Sequence, residues 1–375
     1  MRKIILGFHL SLALALGVLF SLQGVSGSLI TFYREFDQFL NPHVVIQNPG
    51  GERKSIQELF EVVRSAHPTR TGPWKLVLPE EPDQPFRADY QKPKEKEGKF
   101  WAPLMISVNP YTGEIIDTRF WGDTLMTWVY DVHAELQMDK FGWDLVGYLA
   151  LGWLVSFGTG LYLGSPRGFR FPRQLWFKKN PSNSRLLYDG HRLVGLYFSL
   201  PLIILAVSGF YFVHPTKVKP VVALFSSIYE KPSGLLSTGG TLQQSITLDR
   251  AAEIAGRHFS NGRVYKIITP GSKKDGVFEI TVWQPESYSR HHPLSTVWLD
   301  QYSGKLLSIN DRTKGSLGQF SLDLLWPLHR EIQEFAGMPG RILYFVSGFV
   351  PLFLLITGVR FYRAKKKLTR EKAKL

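Results

Sequence analysis

One sequence frame occurs twice in this chain and constrains its fold more than any other feature. A histidine, an apolar run and a Val-Ser-Gly triplet follow one another from His9 to Gly27 and again from His191 to Gly209, each time over a spacing of 18 residues. In an α-helix this spacing spans about 27 Å, which is close to the thickness of the hydrocarbon core of a bilayer. The pattern predicts a duplicated membrane protein with a histidine at a matching depth in each half.

Four apolar segments are each long enough to span a bilayer. They lie at residues 4–33, 142–163, 191–213 and 340–359. The first also fits a cleaved signal peptide, because basic residues precede it and Val25-Ser26-Gly27 is a small-residue cleavage site. Its histidine frame recurs in the middle of the chain, where no signal peptidase acts, so a retained helix is the favoured interpretation.

The net charge of +14 is confined to the segments next to these helices. Residues 1–3, 164–190 and 360–375 contain 16 lysines and arginines but only two acidic residues, and the rest of the chain is neutral. This distribution is the positive-inside pattern of membrane proteins, and it predicts that both termini and the 164–190 loop are cytoplasmic. The charge therefore indicates contact with a lipid bilayer, and no nucleic-acid partner is expected.

The chain contains no cysteine. Disulfides, thiolate metal sites, iron–sulfur clusters and covalent haem attachment are therefore excluded. The sequence also lacks the glycine-rich nucleotide-binding motifs, the nucleophile elbow of hydrolases and the HExxH motif of zinc proteases. Any cofactor has to be held noncovalently, by side chains such as histidine.

The polar segments between the helices repeat two further markers. The pattern [Asp/Asn]-x-Tyr-[Ser/Thr]-Gly occurs at 109–113 and 300–304, each time after a predicted strand, and indicates a hairpin turn. The pattern His-x-Glu-[Leu/Ile]-Gln occurs at 133–137 and 329–333, just before the second and fourth apolar segments. Both halves thus have the order helix, polar domain, helix. Parallel repeats of this kind are related by an axis along the membrane normal.

Four of the ten histidines occupy repeat-related positions. His9 and His191 lie near the cytoplasmic ends of the first and third helices, and His133 and His329 lie near the outer ends of the second and fourth. The axis would carry each residue onto its partner, so a cofactor on the axis would receive one imidazole from each half. Haem iron with two axial histidines fits this arrangement. The sequence predicts two noncovalent b-type haems, with iron bound by His9 and His191 and by His133 and His329.

Other interpretations of the histidines stay open. A single histidine at a membrane boundary is commonly an interfacial residue, but ionisable groups at repeated depths are costly and usually functional. A zinc or copper site would lack carboxylates close by in the sequence. His214, at the outer end of the third helix, is a candidate substitute for His133 or His329 as an iron ligand. His291-His292 lies in a polar loop and is expected to be solvated rather than to bind a metal.

The order and duplication of these motifs resemble the PepSY-associated transmembrane family. The carrying motifs are the two histidine frames, the two tyrosine turns and the Thr-Gly pairs at 159–160 and 357–358. The resemblance covers nearly the whole chain. It implies four transmembrane helices, two periplasmic PepSY domains, two haems and electron transfer across a bacterial inner membrane to ferric siderophores. Some relatives carry a flavin reductase domain that is not recognised in this sequence, so the electron donor, cytoplasmic or quinol, is open.

The expected fold class is a membrane α-helical bundle of four transmembrane helices, built as a duplicated parallel repeat, with two α+β PepSY-like periplasmic domains. The expected segments are transmembrane helix 1 (1–33), PepSY-like domain 1 (34–132), transmembrane helix 2 (133–163), a cytoplasmic basic loop (164–190), transmembrane helix 3 (191–214), PepSY-like domain 2 (215–328), transmembrane helix 4 (329–360) and a cytoplasmic basic tail (361–375).

The expected function is that of an inner-membrane oxidoreductase, a haem-dependent ferric-siderophore reductase. Electrons would pass from the cytoplasmic side to a periplasmic acceptor. Reduction of a ferric siderophore would release its metal, because Fe(II) binds hard oxygen ligands more weakly than Fe(III). The alternative is a non-enzymatic protein whose PepSY domains bind or restrain a periplasmic peptidase or peptide, with the helices as anchors. Haem content distinguishes the two.

Overall fold

The computed structural model describes residues 1–164, 175–238 and 244–372, with side chains as far as Lys367. Residues 165–174 of the predicted basic loop and 373–375 of the predicted basic tail lie outside the described residues. The chain divides into two compact units. The helical unit comprises Met1–Phe32, Val129–Val218 and Leu328–Leu375, and the sheet unit comprises Tyr33–Trp128 and Lys219–Pro327.

The helices and strands follow the predicted alternation of apolar and polar segments. The α-helices are α1 (Arg2–Thr31), α2 (Tyr33–Leu40), α3 (Ile56–Ala66), α4 (Leu125–Glu135), α5 (Asp139–Gly164), α6 (Asn183–Tyr197), α7 (Ser199–Val213), α8 (Pro215–Ala223), α9 (Leu248–Arg257), α10 (Leu317–Arg330) and α11 (Gln333–Lys372). The strands are β1 (Trp74–Val77), β2 (Phe86–Tyr90), β3 (Leu104–Val108), β4 (Ile115–Phe120), β5 (Arg263–Ile268), β6 (Val277–Trp283), β7 (Ser295–Asp300) and β8 (Leu306–Asn310).

Three helical stretches of the described chain are long and apolar enough to cross a membrane. They are Arg2–Thr31, Asp139–Gly164 and Leu317–Lys367, the last of which takes α10 and α11 together; α6 with α7 forms a fourth candidate if this bent pair is one span. Large apolar side chains on these helices are exposed, for example Val18 at 69% and Leu200 at 68%. Such surfaces suit contact with lipid rather than with water.

The third predicted helix is broken in the structure. The sequence predicts one helix over 191–213, whereas α6 and α7 meet at Phe198 with a bend of 55°. Pro201 accounts for the break, because it has no backbone proton to donate to the carbonyl four residues earlier, and its ring clashes with that turn. The hydroxyl of Ser199 donates to the carbonyl of Leu196 at 2.7 Å and satisfies an acceptor at the end of α6. The bend lies between the histidine and the Ser-Gly pair of the repeated frame.

The two His-x-Glu-[Leu/Ile]-Gln motifs lie at breaks between helices. Leu136 and Gln137 lie between α4 and α5 and have positive φ angles of 52° and 58°, which end a right-handed helix. The second half is interrupted at the corresponding place, between α10 and α11. His133 and His329 therefore belong to the helices that precede the breaks, and not to the long apolar helices that follow them.

The polar segments of both halves form one eight-stranded antiparallel sheet in the order β4-β3-β2-β1-β5-β6-β7-β8. The sequence predicts a separate α+β domain in each half. Instead, the two four-stranded halves join where β1 pairs with β5, with Leu76 opposite Ile267. The edge of a sheet carries backbone donors and acceptors without partners, so pairing the two edges satisfies both.

Helices α3 and α9 pack against the sheet and form its apolar core. Buried members of this core include Val63, Leu76, Ile106, Ala251, Ile267 and Ile280. The two helices also cap each other: Asp249 accepts from the amides of Ile56 and Gln57 at 2.8 and 3.0 Å, and the side chain of Gln57 accepts from the amide of Leu248 at 3.0 Å. The halves of the sheet unit therefore share a core and satisfy each other's helix termini.

The tyrosine turns predicted at 109–113 and 300–304 are present between β3 and β4 and between β7 and β8. Gly113 and Gly304 have φ angles of 82° and 69°, which favour glycine. The carboxylate of Asp300 accepts from the amides two and three residues further on, each at 2.9 Å. Burial alone would raise the pKa of Asp300, but these and other hydrogen bonds hold its ionised form and lower the pKa to about 2.

Candidate functional site

The four repeat-related histidines form two pairs within the helical unit. The rings of His9 on α1 and His191 on α6 have centroids 6.4 Å apart and planes at 89°. The rings of His133 on α4 and His329 on α10 have centroids 6.2 Å apart and planes at 56°. The structure thus brings together the same two pairs that the sequence repeat predicts.

Both centroid separations suit two imidazoles that share one metal ion. A ring nitrogen lies about 1.15 Å from the centroid of a five-membered ring with bonds of about 1.35 Å. A bond from a first-row metal to imidazole nitrogen is about 2 Å long. Two rings on opposite sides of one ion therefore have centroids about 6.3 Å apart. The two pairs fit axial ligation of haem iron in this respect.

A hydroxyl group orients His9. The Nδ1 atom of His9 lies 2.9 Å from the hydroxyl oxygen of Thr159 on α5. That hydroxyl donates its own proton to the carbonyl of Val155 at 2.9 Å. With its proton placed there, the hydroxyl accepts from Nδ1 of His9, and Nε2 keeps the lone pair that a metal needs.

The other three histidines have the same kind of support. Nδ1 of His191 donates to the carbonyl of Leu354 at 3.0 Å, with the hydroxyl of Thr357 at 3.2 Å. Nδ1 of His133 donates to the carbonyl of Gln23 at 2.9 Å, and the hydroxyl of Ser26 lies 3.5 Å away. Nδ1 of His329 lies 2.7 Å from the hydroxyl of Ser208, whose proton goes to the carbonyl of Ile204. In each of these rings Nδ1 makes the contact, which leaves Nε2 available to a metal ion.

A glycine follows each of these hydroxyl residues and lies against the ring that the hydroxyl holds. A Cβ atom added to the glycine would lie 3.2 Å from Cε1 of His9 at Gly160, 3.2 Å from His191 at Gly358, 2.9 Å from His133 at Gly27 and 3.7 Å from His329 at Gly209. Contacts this short leave little room for a side chain at most of these positions. Each [Ser/Thr]-Gly dipeptide thus contacts one histidine ring through its hydroxyl and its glycine, and we call it a histidine cradle. The sequence shows that the dipeptide is repeated but does not show this role.

A cavity of about 680 Å³ adjoins the His9–His191 pair. Its lining is mainly apolar and includes Leu10, Ala13, Phe20, Trp153, Phe157 and Leu354. The ring of Trp153 contacts those of Phe20 and Phe157, with centroids 4.7 and 5.2 Å apart. Volumes of about 300–1,000 Å³ with mostly apolar walls are typical of cofactor sites. The cavity thus offers space for an apolar cofactor beside an imidazole pair.

His214, the predicted substitute ligand, occupies a different environment. Its ring packs against Tyr148 and Phe210, with centroids 4.6 and 5.2 Å apart. A Cβ on Gly147 would lie 2.7 Å from its Nε2 atom. The imidazole ring paired with that of His329 is the ring of His133, so the geometry favours His133 over His214 as the partner of His329.

The remaining histidine candidates lie in the sheet unit. The ring of His292 stacks on Trp326 with centroids 3.9 Å apart, and His291 lies 3.5 Å from the carboxylate of Glu80. Across the described side chains of residues 1–164, 175–238 and 244–367, no group of three or more His, Cys, Asp or Glu is placed to hold a metal ion. An imidazole pair by itself supplies two ligands to a metal ion.

Comparison with known proteins gives one family match. A family model described as the PepSY-associated TM region matches residues 6–365. The match includes both histidine pairs, both [Ser/Thr]-Gly cradles of each half and all eight strands. A search of the curated proteins finds no match.

Proposed function

Since the chain belongs to the PepSY-associated transmembrane family, we propose that this membrane protein is a b-type dihaem electron-transfer protein that reduces ferric siderophores. The observation that carries the proposal is the arrangement of four imidazoles as two pairs, with centroids 6.4 and 6.2 Å apart. His9 and His191 would hold one haem, and His133 and His329 the other. Bound haem would supply a one-electron carrier at each pair.

Carbonyl and hydroxyl groups of the protein orient the four imidazole rings whose Nε2 atoms would bind iron. The carbonyls of Leu354 and Gln23 and the hydroxyls of Thr159 and Ser208 each accept a hydrogen bond from an Nδ1 atom. Such hydrogen bonds fix the tautomer and the ring orientation, and they increase the basicity of the opposite nitrogen. The rings are thereby held ready before a cofactor binds, which reduces the entropy lost on binding.

The acceptor that we propose is a ferric siderophore, which takes up one electron per ferric ion. A cytoplasmic reductant or a quinol would supply that electron. The product Fe(II) binds oxygen ligands more weakly, so it leaves the siderophore. The sheet unit supports this part of the proposal, because its polar surface is better suited to a bulky, water-soluble acceptor than the exposed apolar helices are.

The haem content of the purified protein tests the proposal directly. We expect about two noncovalent haems per chain, with a Soret band and split α and β bands after reduction. Haem extracted as its pyridine complex gives the stoichiometry. A His9→Ala/His133→Ala double variant should be nearly colourless. A colourless unaltered protein, after expression with added haem precursor, would overturn the proposal and leave the non-enzymatic alternative.

We also propose that the protein lies in the inner membrane with both termini in the cytoplasm. The excess of lysine and arginine lies at the two termini and in the 164–190 loop, and segments next to membrane helices that carry such an excess are typically cytoplasmic. A reporter that is active only in the periplasm should be silent when fused after Leu375. The same reporter inserted at the exposed Gly50-Gly51 turn of the sheet unit should be active. Activity at Leu375 would reverse the orientation and exchange the sides assigned to the two histidine pairs.

A further inference from the structure

Arg192 follows His191 and lines the same cavity. Its side chain is only 7% exposed. A Cβ on Gly164 would lie 3.3 Å from its Cγ atom, so a glycine at the end of α5 makes room for its stem. Within the part of the chain that the structure describes, its Nε and Nη2 donors have no hydrogen-bond acceptor. Unsatisfied donors on a buried charge are costly, so the site is suited to an anionic ligand.

The neighbouring carboxylate of Asp189 does not satisfy this guanidinium. Its Oδ1 atom lies 3.6 Å from Nη2 of Arg192, which is too long for a hydrogen bond. Its Oδ2 atom accepts from Nε of Arg185 at 2.9 Å and from the amide of Lys178 at 3.2 Å. Asp189 therefore offsets the charge of Arg192 at a distance and leaves the guanidinium donors available to another acceptor.

The charged groups that line the cavity are all cations. Besides Arg192 they are Lys3, Lys365 and Lys366, and no Asp or Glu occurs among the described lining residues. The position after the histidine in the first half of the repeat is Leu10, so this buried cation belongs to the second half alone. An apolar cavity with an imidazole pair and an excess of positive charge suits an apolar molecule that carries carboxylates.

We propose that Arg192 binds a carboxylate of the molecule that occupies this cavity. Under the proposed function, on which this inference rests, the molecule is haem and the carboxylate is a propionate. The five donors of a guanidinium form a rigid fork that matches a carboxylate with two parallel hydrogen bonds. The phosphate of an anionic lipid is the other anion available in a membrane, and the experiment below separates the two.

The test compares haem with its dimethyl ester, which has the same macrocycle but no carboxylates. The full chain, in nanodiscs of phosphatidylcholine and with His133→Ala to confine binding to the cavity pair, is titrated with each form through the Soret band. The free acid should bind at least about tenfold more tightly than the ester. Arg192→Gln should abolish this preference but keep the two-histidine spectrum, because it leaves His9 and His191 unchanged.

Two further variants distinguish the loss of a carboxylate contact from misfolding of the protein. Arg185 is the other arginine partner of Asp189; its side chain is 45% exposed and does not line the cavity. The Arg185→Gln variant should therefore keep the full preference for the free acid. Asp189→Asn/Arg192→Gln leaves no buried carboxylate unpaired, and it should lose the preference as the single variant does. An unchanged preference in both Arg192→Gln proteins overturns the inference.

The same titration separates the inference from the proposed function. If the His133→Ala protein binds neither form of haem, the proposed function itself fails. If it binds both forms equally well, the haem assignment stands and the role of Arg192 falls. If Arg192→Gln instead lowers the affinity of the protein for phosphatidylglycerol and leaves the preference for the free acid unchanged, the guanidinium binds lipid phosphate and the inference is overturned.

Discussion

Replacing His9 by alanine is expected to remove the same haem as replacing His191, leaving about half of the pigment in each variant. The two rings face each other with centroids 6.4 Å apart, so either substitution leaves an iron with one protein ligand. His133→Ala and His329→Ala should each remove the other haem, because their rings form the second pair at 6.2 Å. Pyridine-complex stoichiometry, with low-temperature α-band spectra to separate the two haems, measures the outcome.

A matched control for these variants is His258→Ala. His258 lies at the end of α9 in the sheet unit and is exposed, so its loss should leave the full haem content. Loss of the same spectral species in His9→Ala and His133→Ala would contradict the pairing. Full haem in His329→Ala together with loss in His214→Ala would make His214 a ligand in place of His329.

Reduced protein is expected to be reoxidised by ferric siderophores under anaerobic conditions, and the His133–His329 pair should be required. After reduction by dithionite and removal of the excess, rapid mixing with two equivalents of a ferric siderophore per chain, one for each haem, should return the α-band absorbance to its oxidised value. His133→Ala or His329→Ala should slow this change by about two orders of magnitude, since the carrier nearest the proposed acceptor would be lost. A ferrous chelator in the mixture reports release of the metal.

Two controls make this experiment decisive. The iron-free siderophore should leave the protein reduced, which excludes oxidation by traces of oxygen. The remaining pigment of His133→Ala should still be reducible by dithionite, which shows that the His9–His191 pair is intact. If unaltered protein stays reduced with hydroxamate, catecholate and carboxylate siderophores alike, the acceptor assignment fails, and a haem protein with another acceptor is left.

Several features could be predicted from the sequence because they depend on local composition or on repetition. The apolar runs predict candidate spans such as α1 and α5, since an apolar helix needs no partner beyond lipid to satisfy its backbone. The tyrosine turns at 109–113 and 300–304 were predictable because Gly113 and Gly304 supply positive φ angles that few other residues adopt. The repeat also indicated which histidines form pairs, because an axis relates equivalent positions in two copies of one sequence.

Other features were decided only by the tertiary structure. The pairing of β1 with β5 joins residues such as Leu76 and Ile267, nearly two hundred positions apart, and no local pattern encodes which strand edge meets which. The support of His9 by Thr159 and the cradle at Gly160 depend on the packing of α1 against α5. The burial of Arg192 beside the cavity is visible only when the helices are assembled. Hydropathy indicates which segments can span a bilayer, whereas the contacts of each side chain follow from packing between elements that are distant in the chain.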